Sequence, residues 1–348
     1  MNKYIHIYFF CTITTLVSGQ DCLRQLEISQ RAYYNGSLQE VIAKLTPCIE
    51  NERFSDTELK SALRLLINAS LILKEDSLAD MYMFQLLTID PLAESRSSDL
   101  AEFRRLHSTY KVKPKRKIGV LGGISFPSFS TLQYRSLSAI ADESGVYDAR
   151  PGFVFGFKID HYLNNHLFLG TGVFYNRYAY QQSELLLTYL QSFSKERMDY
   201  LNIPLQVGYQ LRREKFEYYA SAGLAVNLLL SSKADLELFG IQSDNPITIV
   251  PGIPEKGQGI DLGHQRSGVV FNYLLNVGIR RTFGLTGLEL SAQYDFGANN
   301  LVDPSGRYSV DEVWEKYSYV ANDFKVDALK IMFGVTYRIY QTTKIKTP

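Results

Sequence analysis

From Ile118 onward the period of the hydropathy pattern becomes two in a series of segments, which suits extended strands and no helix. After the Lys215 turn, Phe216, Tyr218, Ala220, Ala222, Leu224, Val226, Leu228 and Leu230 fall on one face. Glu217, Tyr219, Ser221, Gly223, Ala225 and Asn227 fall on the other. Leu201, Ile203, Leu205, Val207, Tyr209 and Leu211 likewise oppose Asn202, Pro204, Gln206, Gly208 and Gln210, and Leu288 to Phe296 and Leu329 to Ile339 repeat the pattern. Segments near 117–126, 152–161, 166–180 and 268–282 bring the expected count to eight strands. Strands apolar on one face and polar on the other fit a barrel in lipid, whose closure leaves no unpaired edge. A soluble β-sandwich shares the alternation, but it does not require the features described next.

Connections alternate in length. Those at 163–165, 213–215 and 284–286 are tight, whereas those near 127–150, 182–197, 231–267 and 303–323 are long. Short periplasmic turns and long extracellular loops produce this parity, and they place whatever precedes the first strand in the periplasm. The 24 Tyr and 20 Phe against one Trp, concentrated after residue 118, suit membrane interfaces. A formal net charge of +1 offers no field for nucleic acid, so no such partner is expected.

Lys3 followed by the apolar run Ile7 to Val17 and Ser18-Gly19-Gln20 reads as a secretory signal over 1–19, too short to span a bilayer. Asp21 stands before Cys22 where a lipid-attachment box needs a small residue. Without Cys11 the mature chain keeps Cys22 and Cys48, which in an oxidising compartment form a disulfide; the alternative is two buried thiols.

Residues 20–110 carry helix signals instead. Ser37 to Glu40 and Ser55 to Glu58 are capping-box patterns, and Asn35-Gly36 ends the helix before them. Leu38, Val41, Ile42 and Leu45 form one apolar stripe, and Leu59, Ala62, Leu63, Leu66 and Leu73 another. The spacing Ala79, Met83, Leu86, Pro91 resembles the second helix and terminal proline of a tetratricopeptide repeat, with Ala32 to Leu45 as a degenerate earlier copy. That resemblance implies a surface for a protein or peptide; a compact helical cap is the other reading. Lys111, Lys113, Lys115, Arg116 and Lys117 around Pro114 read as a basic membrane-proximal linker over 111–117, able to meet lipid phosphates.

The strand Tyr200-Leu201-Asn202-Ile203-Pro204-Leu205-Gln206-Val207-Gly208-Tyr209 resembles the central strand of the PorT-like outer-membrane β-barrels of the Bacteroidota. The glycine and aromatic alternation of Gly152 to Phe157 and Gly170 to Tyr175 is similar too, and the likeness covers about residues 117–340. It implies the same fold and location, with a role in secretion or envelope assembly.

An eight-stranded barrel is filled by side chains, so Arg212, Glu217, Arg280, Glu289, Asp295 and Arg338 on the inward faces are expected to pair with one another. Pro204 inside a strand predicts a bulge. Asp261, His264 and Ser267 in a long loop hold the residue types of an acyl-transfer site without a scaffold to fix them, and Asp160, His161 and His166 flank a tight turn as metal candidates. Neither set is expected to work as such, so no catalytic, metal or cofactor site is assigned.

The expected architecture is α+β in separate domains: all-α helical hairpins, then an eight-stranded antiparallel transmembrane β-barrel over 118–340 and a tail over 341–348. The expected role is a non-enzymatic outer-membrane protein whose periplasmic helices bind an envelope or secretion-machinery protein. The alternative is an outer-membrane enzyme using the long loops.

Overall fold

The computed structural model describes residues 21–51, 54–97, 99–135, 146–186, 190–240, 255–308 and 311–345. The signal expected over 1–19 lies outside them. The chain divides into two compact units: residues to Pro114 together with Tyr340–Pro348, and Lys115–Ile339.

The first unit is helical. Helix α1 spans 21–34, followed by α2 (Leu38–Glu50), α3 (Asp56–Ile72), α4 (Asp76–Ile89) and α5 (Ala101–Ser108). Gly36 takes a φ of 81°, the left-handed turn that lets α1 stop and α2 begin. The Ser55 N–H donates to Glu58 Oε2 at 2.9 Å, closing the expected box. Ser37 makes no side-chain cap bond, so α2 starts on its apolar stripe and the Gly36 turn alone. Val41, Leu45, Leu63, Leu66, Ile67, Met83 and Phe103 are fully or almost fully buried in one core, which is what the 3.6-residue spacing requires. Cys22 and Cys48 form a disulfide between α1 and α2, with Cα atoms 5.8 Å apart.

The chain's last residues belong to this unit. Thr342 Oγ1 donates to the Leu87 carbonyl at 3.0 Å, the Ile345 N–H donates to the Thr109 carbonyl at 2.7 Å, and Lys344 Nζ lies 2.6 Å from Asp80 Oδ1. Tyr110 OH also donates to Asp80 Oδ1, at 2.6 Å. Burial alone would raise the Asp80 pKa, but the hydrogen bonds from Lys344 and Tyr110 and the Lys344 charge outweigh it and hold the carboxyl below its ordinary value. A depressed carboxylate contributes stability above the unfolded pKa, about 4, and loses it as pH falls through the folded value. The helical unit of Asp80→Asn should therefore melt below that of the wild type at pH 7. The gap should close on acidification below about pH 4 in circular-dichroism melts; a pH-independent gap would contradict the pairing.

The second unit is one antiparallel sheet of ten strands: β1 (Tyr110–Gln133), β2 (Val146–Arg150), β3 (Gly152–Tyr162), β4 (Leu167–Leu186), β5 (Leu190–Arg213), β6 (Phe216–Gly240), β7 (Glu255–Asp261), β8 (Val269–Phe283), β9 (Thr286–Gly297) and β10 (Asp323–Lys344). Neighbours pair in the order β3-β1-β10-β9-β8-β6-β5, and β4 pairs with both β3 and β5, so the sheet returns on itself. Ten strands differ from the expected eight for a local reason. β2 and β3 both pair with β4, and their ladder slips by one residue across Pro151, which has no N–H to give. β7 and β8 both pair with β6, and residues 262–268 between them leave the ladder.

Other sequence expectations need correction. The stretch 111–117 is no linker, because it lies within β1. Of the long connection expected at 182–197, residues 182–186 and 190–197 are instead strand: β4 runs to Leu186, β5 starts at Leu190, and their pairing continues to Leu186 and Leu190. The register shift of β5 falls at Asp199/Tyr200, not at Pro204. Pro204 acts on the other side, where the β4–β5 ladder lapses between Thr171/Leu205 and Phe174/Asn202. There the Thr171 hydroxyl donates to the Pro204 carbonyl at 3.0 Å.

Candidate functional site

Strand parity decides what faces inward. On β3, Phe153, Phe155, Phe157 and Ile159 are exposed, so Lys158 and Asp160 are buried; on β10, Leu329 and Ile331 are exposed and Lys330 is buried. The same rule buries Lys117 on β1, Glu217 on β6, Arg280 on β8, Glu289 on β9 and Arg338 on β10.

These charges meet at the short-turn end of the sheet. Glu217 accepts from Lys117 Nζ at 2.8 Å and lies 2.8 Å from Arg338 Nη2. Glu289 accepts from Arg280 Nε at 2.6 Å, Lys158 Nζ at 3.1 Å and Tyr219 OH at 2.6 Å. Asp160 accepts from Arg280 Nη2 at 2.7 Å. The Arg280 guanidinium also stacks 3.8 Å from the centre of the Tyr219 ring. Four cations thus share three carboxylates. Such groups cannot enter a water-poor interior singly, and each carboxylate here lies within ion-pair distance of two cations, Asp160 facing Lys158 at 3.6 Å as well as Arg280. Asp295 pairs with Lys330 Nζ at 2.6 Å further along the sheet.

At the other end, residues 262–267 bring Arg266 against Glu196, with Nε to Oε1 at 2.7 Å. Tyr180 also bonds Glu196, Tyr319 OH accepts from Arg266 at 3.0 Å, and Phe129, Tyr147 and Phe324 pack around them. Paired charge and aromatic rings therefore occupy both ends of the inward face.

Of the six residues expected to form an inward network, Glu217, Arg280, Glu289, Asp295 and Arg338 take these positions. Arg212 does not: it lies beside Glu217 in register but is exposed, at the rim where the strand reaches solvent. Sequence reasoning missed Lys158, Lys330 and the Glu196–Arg266 pair; it weighed Asp160 only as a metal candidate that it did not adopt, and it placed Lys117 in a basic linker. Parity identifies the first two, since each sits between outward apolar neighbours. Lys111, Lys113, Lys115 and Arg116 are exposed.

The enzyme and metal candidates take other partners. Asp261 Oδ1 accepts from the Gly263 N–H at 2.8 Å, and Ser267 Oγ donates to the Asn300 carbonyl at 3.1 Å. His264 lies in a short 3-10 turn between them. Asp160 is bound to Arg280, while His166 Nδ1 is 3.2 Å from the Gln210 carbonyl. Among the described residues no group of three His, Cys, Asp or Glu side chains could hold a metal ion.

The helical unit has a concave site of its own. Ile49, Phe54, Leu59, Leu63, Phe84 and Ile89 line an open cavity of about 520 Å³ between α2, α3 and α4, with Gln85 and Thr88 at its edge. Phe84 is 48% exposed, a large apolar side chain that this unit leaves uncovered.

No curated protein matches the chain. Among solved structures it is similar to the outer membrane protein OprG of Pseudomonas aeruginosa, at 12% identity over 65% of this chain and 96% of that one, with a TM-score of 0.37. It is also similar to the outer membrane protease OmpT of Escherichia coli, at 10% identity over 66% and 98%, with a TM-score of 0.33. The attachment invasion locus protein Ail of Yersinia pestis matches at 11% identity over 64% and 99%, with a TM-score of 0.25. The family described as "Outer membrane protein beta-barrel domain" matches residues 113–309, more than half of the 348 residues, and the chain belongs to that family.

Proposed function

We propose that the protein is a non-enzymatic outer-membrane anchor whose helical unit works in the periplasm as a docking domain for an envelope or secretion-machinery protein. In this reading eight strands, β1, β3, β4, β5, β6, β8, β9 and β10, cross the membrane, while β2 and β7 extend the outer end. The turns at 163–166, 214–215 and 284–285 then face the periplasm, and β1 starts on that side, directly after α5. The inward ion pairs suit a scaffold better than a transport path, since a ring of this size is filled by its own side chains.

The observation that carries the docking role is the apolar groove on α2, α3 and α4, with Phe84 exposed at its wall. An uncovered aromatic flanked by polar edges is the usual composition of a protein-binding hot spot. The test is affinity capture of crosslinked full-length protein from its own cells, comparing wild type with Phe84→Asp and Leu59→Asp. Both variants should keep the slow-heating, compact gel species of a folded barrel. They should lose at least about tenfold of a specific periplasmic partner, as expected when a hot-spot residue worth about 2 kcal/mol is removed. An unchanged capture profile would contradict the docking role.

A further inference from the structure

The outward face of the sheet is not a uniform apolar belt. Register places Arg213, Phe216 and Arg281 side by side on β5, β6 and β8, and all three are exposed on the outward face. The next row is Leu211, Tyr218 and Ile279, so the cations lie immediately below the last apolar row at the short-turn end. Two strand spacings, about 10 Å, separate the arginine backbones, with a ring between them. The Arg281 guanidinium lies 5.7 Å from the Phe216 ring centre and 5.1 Å from that of Phe283. Among the described residues neither Arg213 nor Arg281 has an ion-pair partner. Glu217 and Glu289 on the neighbouring strands point inward to their own cations, and Glu214 is exposed at the turn.

Further into the apolar band the outward side chains become small. Ala220 and Ala222 on β6, Val277 on β8 and Ala292 on β9 floor two troughs of about 560 and 420 Å³ that meet at Val277. From Phe216 to Ala222 a strand rises about 20 Å. At the tilt usual in barrels this is about 15 Å of depth, the thickness of one hydrocarbon leaflet.

We propose that these rows form a site for one anionic glycerophospholipid. Its phosphate is held between Arg213 and Arg281 over the Phe216 ring, and its acyl chains lie in the two adjoining troughs lined by Ala220, Ala222, Val277 and Ala292. Guanidinium groups suit phosphate oxygens, and at the edge of the apolar band they are only partly hydrated, which strengthens the pairing. A zwitterionic headgroup brings its own cation into competition with the arginines, whereas free phosphate gains nothing from the troughs.

Native mass spectrometry of the folded full-length protein in detergent tests this, with phosphatidylglycerol, phosphatidylcholine of identical chains, or inorganic phosphate added. The wild type should retain phosphatidylglycerol about tenfold better than phosphatidylcholine, the effect of one net charge-assisted contact, and should retain no inorganic phosphate. Arg213→Gln with Arg281→Gln should bring phosphatidylglycerol down to the phosphatidylcholine level. Ala220→Phe with Ala292→Phe should weaken both lipids. Equal retention of the two lipids by the wild type, or selectivity surviving in the glutamine variant, would overturn the site. Inorganic phosphate binding as well as the anionic lipid would reassign it to a free anion. If the phenylalanine variant fails to fold, the glutamine variant decides alone, since its side chains are exposed and outside the core. Binding is read without reference to membrane sides, so failure here leaves the periplasmic placement of the helices untouched.

Discussion

Glu289→Gln is expected to destabilise the barrel by about 3–5 kcal/mol, the cost of leaving buried charge without its counter-ion. Glu289 receives Arg280, Lys158 and Tyr219, so removing its charge leaves the four cations of this cluster facing the two carboxylates Asp160 and Glu217. Glutamine keeps the shape and still accepts from Tyr219, which isolates charge from packing. Arg280→Met should cost less although it deletes a larger group, because three cations then face three carboxylates. The double variant Glu289→Gln with Lys158→Met should recover part of the loss for the same reason, and a double-mutant cycle gives the coupling. Urea titration of the compact, unheated gel species in detergent reads all of these. A loss below about 1 kcal/mol for Glu289→Gln, or a larger one for Arg280→Met, would mean that water screens the interior.

Removing the disulfide is the second large effect, and it should fall on the other unit. Cys22 and Cys48 are 26 residues apart, and closing a loop of that length stabilises the folded state by about 3–4 kcal/mol in the chain-entropy model. Cys22→Ser with Cys48→Ser, or reduction of the wild type, should lower the melting of α1 to α5 by that amount in helical circular dichroism. The barrel's gel mobility should not change. Equal melting of oxidised and reduced protein would show that the packing of Leu45, Leu63 and Leu66 suffices without the crosslink.

How far the sequence could be read depended on whether a local rule or a distant partner set the outcome. The two-residue alternation after Phe216 fixes which side chains face outward because every strand neighbour imposes the same constraint, and exposed Tyr218 and Leu224 beside buried Glu217 and Tyr219 follow from it. Lys158 and Lys330 were equally legible, yet attention to apolar faces passes over the residues between them. Arg212 shows the limit of parity: one step beyond Gln210 the wall ends, and an alternating pattern carries no mark of where the rim lies. The long connections failed for a related reason. Gln181, Gln182 and Ser194 to Glu196 are polar on successive residues, which resembles a loop, but they pair as a strand extension that leaves the apolar band. The Glu196–Arg266 pair, separated by 70 residues, depends on residues 262–267 turning inward, and no local spacing announces it. The groove around Phe84 is likewise a product of three helices meeting.

Orientation is read from protease accessibility of the helical unit, probed by immunoblotting against residues 21–110 after proteinase K is added to intact cells and then to cells with a permeabilised outer membrane. These residues should survive in intact cells and disappear on permeabilisation. Their loss from intact cells would put the helices outside, contradicting both the orientation of the barrel and the docking role.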